Sequence, residues 1–92
     1  MIQSFRHRGL RRFYERGDAS RLNPTHVPRL RAILTLLEAA TKPEDVNFPG
    51  SDFHSLRGDL RGFYAVRVSG NWRVIFRFVD GNVIDVDYLD YH

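Results

Sequence analysis

The sequence predicts a single α+β domain: two N-terminal helices packed on one face of a small twisted antiparallel sheet. Three observations predict it. The chain has 92 residues, which suffices for one core and no more. Its first half carries two stretches whose apolar residues recur at helical spacing. Its second half alternates in strand fashion between turn signals.

Ile2–Arg6 is short, apolar and β-capable, and reads as a first strand. Gly9–Arg16 reads as a helix, with Leu10, Phe13 and Tyr14 on one face, Arg8, Arg11 and Arg12 largely on the other, and Gly17 as its stop. Asp18–Thr25 is a polar loop. A longer helix runs from Val27 or Pro28 to Ala40, since proline suits a first turn where its missing N–H has no partner. Leu30, Ile33, Leu34 and Leu37 form its apolar stripe. Residues 41–49 connect the halves, with one helical turn starting near Pro43.

Gly62–Val68, Trp72–Val79 and Asn82–Leu89 then form a meander, giving the order β-α-α-β-β-β. Asp80-Gly81 is a two-residue hairpin turn, because both positions tolerate positive φ. It pairs Val79 with Asn82, and so Arg73 with Tyr88. A three-residue turn at Ser69-Gly70-Asn71 pairs Val68 with Trp72, and so Arg67 with Arg73. Alternation then places Tyr64, Val66, Val68, Trp72, Val74, Phe76, Phe78 and Val83 on a face for the helices. Arg67, Arg73, Arg77, Tyr88 and Asp90 fall on the other. Asp85 and Asp87 land on the apolar face and Ile75, Ile84 and Val86 on the polar one; a bulge in the last strand, or an edge position, would explain the two aspartates.

Composition narrows the function. There is no cysteine, so disulfides and thiolate metal sites are excluded. No apolar run reaches the length of a membrane span, and Met1–Arg6 is not a signal peptide, so a cytoplasmic protein is expected. The net charge is +3, and thirteen of the fourteen basic residues are arginine. Arginine grips phosphate with a two-pronged fork and stays charged when desolvated, which suits a nucleic-acid partner. A GC-rich genome would enrich arginine as well.

Three features carry candidate chemistry. Arg67 opposite Arg73 sets like charges face to face, which is unfavourable unless an anion or a nearby carboxylate joins them. Asp59, Asp85 and Asp87 are the candidate carboxylates. The chain closes on Asp90-Tyr91-His92, an acid, an aromatic and a proton-transfer group together. His54 opens the segment His54-Ser55-Leu56-Arg57-Gly58-Asp59, ahead of a glycine-containing loop. His7 and His26 have no supporting context. No histidine pair has helical metal-ligand spacing, and no metal or other cofactor is expected.

Leu56-Arg57-Gly58-Asp59, Gly62–Val68, Asn71-Trp72-Arg73-Val74-Ile75-Phe76, the terminal Asp90-Tyr91-His92 and the opening Met1–Leu10 resemble the HigB branch of the RelE toxin superfamily, over the whole chain. The resemblance implies a RelE-like fold and a metal-independent, ribosome-dependent endoribonuclease that cleaves messenger RNA in the decoding site. It implies His54, Arg67, Arg73, Asp90, Tyr91 and His92 as catalytic residues, with Arg57, Arg67 and Arg73 binding substrate. Arg57 keeps a positive charge where relatives can carry lysine, but it does not give up a proton. Asp90 or His54 is the candidate base and His92 the acid, and His54 and His92 are exchangeable in these roles. The implied partners are the 70S ribosome with its message and a HigA-like helix-turn-helix antitoxin, through which alone the toxin reaches operator DNA. A RelE-fold protein that binds without cleaving, or that acts on another target such as gyrase, is the alternative. The terminal Asp-Tyr-His would have no task there.

Overall fold

The computed structural model describes residues 1–90. Two helices, α1 (Arg8–Arg16) and α2 (Val27–Ala39), precede an antiparallel sheet of β1 (His54–Ser55), β2 (Tyr64–Ser69), β3 (Trp72–Val79) and β4 (Asn82–Asp90). The strands lie in sequence order across the sheet. Short 3-10 turns at Pro24–His26, Pro43–Val46 and Gly58–Leu60 join the parts.

α1 starts where the His7 ring accepts a hydrogen bond from Leu10 N at 3.0 Å, satisfying one of the free donors of the first turn. It stops at Gly17, whose φ of 71° lets its N–H return to the Phe13 carbonyl at 2.9 Å. α2 buries Leu30, Ile33, Leu34 and Leu37 as its spacing dictates. Together with Leu10 and Phe13 they pack on Val66, Val68, Val74, Phe76, Val83 and Val86 of the sheet. The predicted helix-facing surface of β2 and β3 is therefore the one observed.

Three expectations need correction. Ile2–Arg6 does not become a regular strand. It runs parallel to β4 but forms only isolated bridges, Ile2 with Val83 and Phe5 with Val86. The ladder breaks because β4 bulges beside it, and Ser4 Oγ takes the Asp85 N–H at 2.9 Å instead of a backbone carbonyl. The turn between β2 and β3 is tighter than predicted. Ser69 pairs with Trp72 and Val68 is the extra residue, a change that leaves Arg67 opposite Arg73 as expected.

The third correction is the face of β4. Ile75 pairs with Asp87 and Arg77 with Ile84, so Asp85 and Val86 together oppose Phe76. Asp85 adopts φ 56°, the left-handed conformation of a bulge residue. The extra residue returns Val86 and Tyr88 to the helix side, where both are buried. Tyr88 is thus a core residue paired with Val74, and Leu89, not Tyr88, stands opposite Arg73. Asp85 is left to pair with Arg77 at 3.3 Å. Ile75 is satisfied too, because the segment from His54 to Phe63 covers the far face of the sheet. Leu56, Phe63, Ala65 and Ile75 form a second small core there, flanked by Leu60 and Leu89.

A polar staple joins α1, α2 and the N-terminal segment. The Tyr14 hydroxyl donates to Glu38, which also accepts Ile2 N at 3.2 Å. The Glu38 carboxylate, and after it burial, pushes the Tyr14 phenol up from 10.0 to about 12. The same hydrogen bond holds Glu38 below its ordinary value. The neutral phenol is the form the fold stabilises, so its contribution is complete below pH 10 and is lost as pH rises towards 12. Stability measured by denaturant titration is expected to decline across that window more steeply in wild type than in Tyr14→Phe. Equal declines would show that the staple does not act on the folded state.

Candidate active site

Residues 47–53 are bound tightly to the edge of the sheet. Ser51 is buried, its carbonyl accepts Arg67 N at 2.7 Å, and its hydroxyl donates to Asn47 Oδ1 at 3.1 Å. Arg29 reaches from α2 to the Gly50 carbonyl at 3.0 Å and the Arg67 carbonyl at 3.2 Å. Phe53 stacks on Tyr64 with ring centroids 5.7 Å apart. The chain then enters β1, where His54 pairs with Ala65. By strand alternation His54, Arg67 and Arg73 share the far face of the sheet.

Asp52 links two of them. Its carbonyl lies 2.7 Å from His54 Nδ1. A carbonyl only accepts, so Nδ1 carries the proton and, in the neutral ring, Nε2 keeps its lone pair. Its carboxylate lies 3.6 Å from Arg73 Nη2. Arg73 is held from the other side by its own turn, with Nη1 donating to the carbonyls of Gly70 at 2.8 Å and Trp72 at 3.2 Å. Its side chain is only 13% exposed. Arg73 Nε is buried with no hydrogen-bond partner among the described residues. The carboxylate that relieves the Arg67–Arg73 pair is therefore Asp52, in place of the expected Asp59, Asp85 or Asp87.

The remaining predicted residues fall around this centre. Arg67 is exposed opposite Arg73. Arg57 is exposed at the start of the Gly58–Leu60 turn. Asp90 pairs with Trp72, which places it on the helix side of the sheet and not beside Arg67 and Arg73, a consequence of the same bulge. It is one residue beyond Leu89, the neighbour of Arg73 across the strands. Tyr91 and His92 lie outside the described residues. No group of three or more metal-ligating side chains occurs among the described residues. A cavity of about 470 Å³ between α1 and α2, lined by Phe13, Tyr14, Leu34 and Ala39 among others, contains none of the predicted site residues.

Residues 3–92 match the family of RelE-like toxins of the type II toxin–antitoxin system HigB. The chain belongs to this family. "Endoribonuclease HigB" of Proteus vulgaris is 35% identical over 92 residues, covering all of both chains. "Toxin HigB-1" of Vibrio cholerae serotype O1 (strain ATCC 39315 / El Tor Inaba N16961) is 36% identical over 94 residues, covering all of this chain and 98% of the relative. Membership of a type II system implies a protein antitoxin as partner.

Two contributors to this toxin's site region escape sequence reasoning. Asp52 acts through a backbone carbonyl and a left-handed φ of 50°, and the only hint is the turn-rich run Pro49-Gly50-Ser51-Asp52. His26 is buried, and its Nδ1 shares a hydrogen bond with the Tyr88 hydroxyl. Trp72 stacks obliquely on Tyr88 at 4.7 Å and the His7 ring meets Tyr88 at 5.4 Å. This cluster seats the end of β4 against the helices beside Trp72, the residue next to Arg73. No periodicity marks His26, because it sits in a 3-10 turn.

Proposed function

We propose that this toxin is a metal-independent endoribonuclease that cleaves messenger RNA in the ribosomal decoding site, and that a HigA-like helix-turn-helix antitoxin neutralises it. The observation that carries the reading is the wiring of His54 through Asp52 to Arg73, opposite Arg67. RNA brings its own nucleophile, the 2′-hydroxyl, and its cleavage needs a base, a cationic clamp and an acid. His54 Nε2, left basic by the Asp52 carbonyl, is the base. Arg67 and Arg73 clamp the phosphate and stabilise the doubly charged phosphorane, with Arg57 at the rim. His92 protonates the leaving 5′-oxygen, Tyr91 stacks on an unpaired base, and Asp90 is the alternative base. The products are a 2′,3′-cyclic phosphate and a 5′-hydroxyl. No metal or other cofactor enters these steps. The name of the Proteus vulgaris relative supports the activity.

Among the described residues the cations of this centre are Arg57, Arg67 and Arg73, a set too sparse to organise free RNA. The ribosome supplies the positioning, and the exposed Arg8, Arg11, Arg12 and Arg16 of α1 suit ribosomal RNA phosphates. The toxin then works in the cytoplasm, and it contacts operator DNA only through its antitoxin. The test compares single-turnover cleavage of naked message with cleavage of the same message on programmed 70S ribosomes at physiological salt, with the new ends identified chemically. Cleavage confined to the ribosome, leaving cyclic phosphate ends, is expected. Equal rates on both substrates, or 5′-phosphate ends, would overturn the reading.

A further inference from the structure

We propose that Asp52 is a positioning residue with two separable actions: its backbone carbonyl keeps the His54 proton on Nδ1, and its carboxylate occupies Arg73 until an RNA phosphate displaces it. This inference rests on the ribonuclease reading and adds to it a residue and a competition step.

The framework aims Asp52 from both sides. Ser51 is bonded to Arg67 N at 2.7 Å and Phe53 is stacked on Tyr64, so both neighbours are fixed to β2. Between them the chain turns through φ 50° at Asp52. Glycine takes this conformation freely and asparagine tolerates it, whereas a β-branched side chain clashes. That turn points the carbonyl back at His54, 2.7 Å from Nδ1. A histidine free to exchange tautomers would present a protonated Nε2 for part of the time, and that form cannot take a proton from a 2′-hydroxyl.

The carboxylate contact is of another kind. At 3.6 Å it is longer than a direct charge-assisted hydrogen bond, and Asp52 is 61% exposed, so water competes for it. A phosphate has oxygens enough to meet Arg67 and Arg73 together, which the carboxylate does not. RNA therefore displaces Asp52 from Arg73, and the displaced carboxylate is a cost carried in substrate affinity. The carbonyl's action is carried in the rate at saturation.

Three variants separate the actions: Asp52→Asn and Asp52→Gly delete the charge and keep the backbone, while Asp52→Val disfavours the backbone. The measurements are single-turnover cleavage of message on programmed ribosomes, thermal melting, and nitrogen NMR of the His54 ring. Asp52→Asn is expected to lower the half-saturating concentration about two- to fivefold, the range of an exposed ion pair. Asp52→Val is expected to lower the saturating rate about tenfold or more and to give a mixed tautomer signal, and Asp52→Gly to recover most of that rate. Rates and half-saturating concentrations that merely track melting temperature would overturn the proposal. So would a His54 ring still protonated on Nδ1 alone in a folded Asp52→Val protein. Arg73→Ala is the control for the underlying reading. If it is impaired while the Asp52 series is flat, this inference alone fails. If Arg73→Ala cleaves like wild type, the clamp reading fails, and the ring tautomers still judge the hold of Asp52 on His54.

Discussion

Replacing His54 with glutamine is expected to lower the single-turnover cleavage rate about a hundredfold or more, the usual contribution of a positioned proton-transfer group. The melting temperature should stay close to that of wild type. His54 is half-buried at the sheet edge, and its strand is held by the backbone pairing of His54 and Ser55 with Ala65 and Tyr64. Among the described residues its ring makes one polar contact, to the Asp52 carbonyl, and a glutamine amide can donate there in its place. Glutamine offers no nitrogen lone pair of comparable basicity, so the loss falls on proton transfer and not on packing. A variant that cleaves within about threefold of wild type would move the base role to Asp90 or His92.

The fold and part of the site are legible in the sequence for a definable reason. Turn chemistry fixes register, and register fixes which side chains meet. Asp80-Gly81 takes the φ values of 52° and 80° that a two-residue hairpin needs, and so Val79 meets Asn82. At the other end of β3 the length of the turn and a bulge at Val68 compensate each other, so Arg67 still meets Arg73. A bulge has no composition of its own. Asp85 signals one only through the conflict it leaves in the alternation of β4, which shows that a residue is inserted but not where. Everything beyond it, Tyr88 and Asp90 included, is displaced to the opposite face. Two residues of β1 are likewise too few to show any period, although they place His54. The apolar Ile75 on the face that carries Arg67, Arg73 and Arg77 is explained by Leu56 and Phe63, which arrive from a segment with no helix or strand periodicity.

Arg73→Ala is expected to produce the other large effect, and it should act on both rate and stability. Repulsion between facing cations alone would leave the fold unharmed, or firmer, when one of them is removed. The geometry reverses that expectation. Arg67 is exposed, so water and salt screen its repulsion, whereas Arg73 is largely buried and donates to the carbonyls of Gly70 and Trp72. Alanine removes both bonds from the turn that sets the β2–β3 register, at a cost of about 1–2 kcal/mol. In a domain of this size that lowers the melting temperature by roughly 5–10 °C. Rate should fall further than stability explains, about a hundredfold or more, because one of two donors to the phosphorane is gone. Arg73→Lys keeps a charge but not the fork, and should recover part of each loss. Assays at a temperature well below every variant's transition separate the two effects, with Arg67→Ala as the comparator that loses a clamp residue without touching the turn. An Arg73→Ala protein that melts low yet cleaves at the wild-type rate would confine Arg73 to the turn. The phosphate clamp would then pass to Arg67 and Arg57, both of which are exposed and have no carboxylate to displace among the described residues.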